Sequence, residues 1–96
     1  MAKIEFWDEE KDNLEKIRRL SKQGYRIVCG SKEKVVDNKT KMCVLLDPSQ
    51  NPKQVNELCE RISFDSVIYI LMTKQDFFRK YPYQRFKLPI KDDKYE

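Results

Sequence analysis

The sequence predicts an α+β domain of the ferredoxin-like type, a split β-α-β-β-α-β antiparallel sheet with two helices on one face and a C-terminal extension. Three observations predict it. The apolar pattern alternates between strand and helix periods in the order strand, helix, strand, strand, helix, strand. Each helical segment shows one apolar stripe, as burial on a single side requires. Between the second and third strands lies Asp37-Asn38, a pair that tolerates the left-handed backbone of a tight hairpin turn. If residues 31–40 are helical instead, those two strands run parallel and the chain becomes a small three-layer parallel α/β fold, the alternative that the pattern leaves open.

In chain order, "AKIEFW" alternates, with Ala2, Ile4 and Phe6 on one side, as in a half-buried strand. Asp8 is placed to cap the helix that follows. Its first turn carries Glu9 and Glu10, its stripe is Leu14, Ile17 and Leu20, and Gly24 supplies a left-handed stop. Asp12 with Lys16 and Glu15 with Arg19 fall at the i, i+4 spacing of a solvated face. "YRIVCGS" and "KMCVLLD" are rich in β-branched and apolar residues and form the expected hairpin, with Val35 and Val36 prolonging its first strand.

In "DPSQNPKQVNELCERISF", Asn51 or Asp47 caps a helix with proline in its first turn, and Val55, Leu58, Cys59 and Ile62 form its stripe. "DSVIYILMT" is a near-continuous apolar strand and therefore central or covered on both sides. A short helix over Lys74–Lys80 and an edge strand in "QRFKLPI" complete the chain. One domain spans 1–90, with 91–96 a frayed tail.

Composition narrows the function classes. The 96 residues hold no histidine, which removes the commonest general base, the Ser-His and Cys-His nucleophile pairs and the HExxH metal helix. Cys29, Cys43 and Cys59 are odd in number and widely spaced among apolar neighbours, so they read as buried free thiols, with no metal centre and no cofactor expected. The apolar stretches Cys43–Leu46 and Val67–Met72 are far shorter than the roughly 20 residues of a membrane span, and the polar N-terminus has no signal-peptide core. A cytoplasmic protein is expected.

Two local motifs carry little. Asp37-Asn38-Lys39 has the D-x-K spacing of some metal-dependent nucleases, but such a site needs a further carboxylate, for which only Asp47 or Asp65 at a strand end could be recruited, and it reads as a turn. Gly30-Ser31-Lys32 lacks the earlier glycine of a phosphate loop. The third strand has no aromatic residue, which excludes a standard RNA-recognition motif.

The segment "FFRKYPYQRFK" (77–87) is different: five aromatic and four cationic side chains occur with no acidic residue among them. Rings that stack on bases and cations that follow phosphates suit single-stranded nucleic acid. Phe77 and Phe78 follow the apolar strand directly and are expected to face inward, with the chain outward from Tyr81 onward. The expectation is a small, non-enzymatic nucleic-acid-binding protein. Its contacts would be Lys32, Lys34, Lys39 and Lys41 of the hairpin with Arg79, Lys80, Tyr81, Tyr83, Arg85 and Lys87 of the C-terminal segment. The alternative is a protein-interaction module or inhibitor in which the exposed Tyr and Arg anchor an interface, and a homodimer is compatible with either.

Overall fold

The computed structural model describes residues 2–30, 39–63 and 65–91. Seven elements follow in order: β1 (Lys3–Phe6), α1 (Asn13–Lys22), β2 (Arg26–Cys29), β3 (Met42–Leu46), α2 (Gln54–Cys59), β4 (Val67–Ile70) and α3 (Lys74–Lys80). The four strands form one sheet in the order β1-β4-β3-β2, and every neighbouring pair is parallel. The antiparallel ferredoxin-like sheet expected from the sequence is therefore corrected to the three-layer parallel α/β arrangement.

The expected hairpin fails because β2 and β3 run in the same direction, with Arg26 opposite Met42 and Cys29 opposite Leu45. Residues 31–38, which include Val35, Val36 and the Asp37-Asn38 turn, lie outside the described residues. The physical reason for the parallel sheet is visible in β3. Met42, Cys43, Val44 and Leu46 are buried and Leu45 is half-buried, so β3, like β4, is covered on both faces, as strands of parallel sheets are. "QRFKLPI" forms no strand either. Its contribution to the sheet is a single parallel bridge between Ile90 and Ile4.

Successive residues of each strand alternate between the two faces of the sheet. On one face, Ala2 and Ile4 of the β1 segment, Val28, the alternating Met42, Val44 and Leu46, and Ile68 and Ile70 form a core with Val55, Leu58 and Ile62 from α2 and beyond it, and with Phe77 from α3. On the other face, Cys43, Val67 and Tyr69 are buried, and the Tyr69 hydroxyl meets Asn13 of α1. The order explains the division. From β1 to β2 the chain crosses the whole sheet in one direction, then returns through β3 to β4. Right-handed crossovers in opposite directions put their helices on opposite faces.

Helix starts were legible in kind but not in place. α1 begins at Asn13, capped by Asp12, whose carboxylate accepts from the Glu15 N–H at 3.0 Å. Asp8 instead accepts from the Glu10 N–H at 2.9 Å in the turn before the helix. Gly24 ends α1 with φ of 97°, in the left-handed region where a Cβ is strained. α2 has no side-chain cap. Asn51 and Asp47 accept from the Lys53 and Ser49 N–H groups in the preceding turns. α3 spans the expected residues, and the Thr73 hydroxyl caps it by accepting from the Asp76 N–H at 3.2 Å.

The inward stripe of α1 departs from expectation at its first position, while Ile17 and Leu20 are half-buried. Asn13 is buried, whereas Leu14 is 59% exposed. Asn13 holds the inward position because its amide is bonded at both its oxygen and its nitrogen. It accepts from the Asp8 N–H at 3.0 Å and from the Tyr69 hydroxyl at 2.5 Å, and it donates to the Asp8 carbonyl. A leucine in its place would remove the acceptor of the buried Tyr69 hydroxyl bond.

Candidate interaction surface

Four of the five rings in 77–86 close the main core. Phe77 is fully buried, and Phe78, Tyr81 and Phe86 pack against it, with Phe6 of β1 joining from below. Ring centroids lie 5.2 to 6.2 Å apart in edge or tilted geometries, the arrangement that aromatic quadrupoles favour. The expected inward placement of Phe77 and Phe78 is observed. The expected exposure from Tyr81 onward is corrected at two positions. Tyr81 turns inward because its hydroxyl donates to the Pro48 carbonyl at 2.9 Å, and Phe86 fills the cluster beside Phe77 and Phe78.

Tyr83 is the ring that remains. It is 93% exposed at the tip of a turn closed by the Gln84 N–H on the Tyr81 carbonyl at 3.2 Å, with Pro82 before it. Proline pre-sets the backbone of this position in a turn. Both ends of the turn are fixed. Tyr81 is held as described. On the far side Asn56 of α2 donates to the Arg85 carbonyl at 2.8 Å and accepts from the Lys87 N–H at 3.1 Å. Asn56, which no sequence pattern singled out, is thus a clamp that presents Tyr83 and the exposed Arg85 on a fixed backbone.

The cations do not form one track. Lys41, at the start of β3, lies over the Tyr25 ring at 4.2 Å and donates to the Gln23 carbonyl at 3.4 Å. Lys80 lies 5.6 Å from the Tyr81 ring, beyond the other end of β3, near Asp47. Six residues of extended chain separate Lys41 from Asp47, roughly 20 Å. Arg79 pairs with Asp76 at 3.7 Å, and Lys87 pairs with Glu60. Lys39 is exposed and also interacts within the chain, and Lys32 and Lys34 lie outside the described residues.

Charge chemistry at this surface is modest. The Ser49 hydroxyl and N–H hold the Asp47 carboxyl below its usual range, with Lys80 adding to the effect, and the Lys87 bond does the same for Glu60. Among the thiols, Cys43 is buried, and desolvation pushes it up to about 12, with Glu5 adding to the shift. Cys59 is half-buried and also raised, chiefly by burial. Cys29 is exposed, which corrects the expectation that all three are buried. Among the described residues, no three His, Cys, Asp or Glu side chains converge as metal ligands would, and no helix is long and apolar enough to cross a membrane.

No protein-family model matches the chain, and neither a curated protein nor a solved structure matches it.

Proposed function

We propose that the chain is a protein-interaction module that uses Tyr83 and Arg85 as its anchor. The observation that carries this reading is the exposure of Tyr83 on a turn pinned at both ends while the rings around it are packed inward. An aromatic and an arginine held on a pre-ordered backbone lose little freedom on binding, and these residue types dominate interface energetics. A single-stranded nucleic acid would need several stacking rings and a continuous basic groove. Among the described residues, one exposed ring in 77–87, with Lys41 and Lys80 toward opposite ends of β3, favours the protein partner.

The test is affinity capture from host lysate with and without nuclease, followed by titration of the recovered protein against wild type and Tyr83→Ala/Arg85→Ala. The expected result is a nuclease-resistant protein partner whose affinity falls about tenfold or more in the variant, the effect of truncating an interface hot spot. The melting temperature should not move, because neither side chain supports the core. Capture abolished by nuclease, together with oligonucleotide binding that weakens steeply with salt, would transfer the site to nucleic acid.

A further inference from the structure

The segment after the Tyr83 turn runs alongside α2 in the same direction. Asn56 bonds the Arg85 carbonyl and the Lys87 N–H, and Glu60, one turn further along the helix, pairs with Lys87. Along this segment Phe86, Leu88 and Ile90 pack against the core, while Arg85, Lys87 and Pro89 between them are exposed. Lys53 has helical backbone angles, φ −66° and ψ −21°. It therefore extends the same helix row one turn before Asn56, on the side from which the Tyr83 turn enters.

Charge around the anchor is not evenly settled. Asp76 pairs with Arg79 at 3.7 Å, Asp47 is held by Ser49 with Lys80 near it, and Glu60 is held by Lys87. The other acid of α2, Glu57, is turned about 100° from Asn56 by helical geometry, away from Cys59 and the segment beside it. Arg85 and Lys53 are both exposed, and their side chains form no ion pair or hydrogen bond with the described residues. The exposed ring is thus flanked by two cations that the chain itself does not neutralise. Arginine meets a carboxylate through two parallel N–H bonds, and here the Asn56 clamp has already fixed the backbone that carries it.

We infer that the partner of this site is an acidic peptide segment, whose aspartate or glutamate carboxylates pair with Arg85 and Lys53 while a neighbouring apolar side chain lies on the Tyr83 ring. The inference rests on Tyr83 and Arg85 being the anchor, and it names the chemistry that meets them. A basic segment on the same surface would set like charges together, and a neutral one would take two cations out of water with no counter-charge.

Selection of a random peptide library displayed on phage against the immobilised intact chain tests this. Peptides retained by wild type and lost on Tyr83→Ala should be enriched in Asp and Glu over the naive library. A synthetic peptide from that set should bind about tenfold more weakly to Arg85→Ala/Lys53→Ala, and more weakly to wild type as salt rises. The reversed variant Arg85→Glu/Lys53→Glu should instead retain peptides enriched in Lys and Arg. All three side chains are exposed, so every variant should share the wild-type melting temperature. Tyr83-dependent peptides with no acidic excess, or an unchanged preference in the reversed variant, overturn the inference and leave the anchor standing. If no selected peptide depends on Tyr83, the anchor falls and the inference falls with it.

Discussion

On one face of the sheet Ile4, Val44, Leu46, Ile68 and Ile70 meet Val55, Leu58 and Phe77, and all of them are buried. On the other face α1 is the helix among the described residues, and Leu14 and Leu71 are exposed, Leu71 at 39%. The first face is held by interdigitated apolar volume from α2, α3 and the C-terminal segment. The second joins the half-buried Ile17 and Leu20 of α1 to a polar junction, Asn13 with Asp8 and Tyr69. Apolar burial resists local opening in proportion to area, whereas a polar junction opens when its few bonds do. α1 is therefore the element expected to detach at the lowest free energy, and hydrogen exchange should be faster there than in β4.

The largest break in this comparison is Phe77→Ala. It empties the centre of the aromatic cluster and should cost about 3 to 5 kcal/mol in urea denaturation. A loss under about 1 kcal/mol would mean that the cluster does not carry the first face. Tyr69→Phe is the corresponding change on the second face. It deletes the hydroxyl that donates to Asn13 and should cost about 1 kcal/mol, with exchange accelerated in α1 more than in α2. Equal acceleration in both helices would show that the faces open together. The smallest effect is expected from Leu71→Ser, within about 0.5 kcal/mol, because the side chain is already in water. A larger loss would reveal packing on the second face tighter than its exposure indicates.

What the sequence disclosed follows the range of the forces involved. α3, the stripe of α2, the Gly24 stop and the central position of β4 depend on neighbours within a turn or a strand, and all were readable. Strand direction depends on the path between strands, which residues 31–38 do not announce. The continuous apolar run of "MCVLL" was the available sign that β3 is covered on both faces. Asn13 and Leu14 exchanged their expected positions because hydrophobicity alone ranks the leucine inside, while the partner that reverses the order, Tyr69, lies 56 residues away. The same limit applies to the candidate surface. The composition of 77–87 marked it correctly as unusual, but Pro48 drawing Tyr81 inward and Asn56 fixing Arg85 are contacts between distant segments.

The tie between Ile4 and Ile90 bears on how the chain reaches this state. β1 has its ladder partner in β4, with Lys3 opposite Val67, and its other edge is satisfied by Pro89 and Lys91. β1 therefore has no ladder neighbour until β4, more than 60 residues later, has been made, and its outer edge is closed by residues that follow later still. Such distant pairings slow folding, because loop-closure entropy is lost before the contacts form. During synthesis β1 must wait unpaired, and a chain truncated before Pro89 would finish with that edge open to other nascent strands.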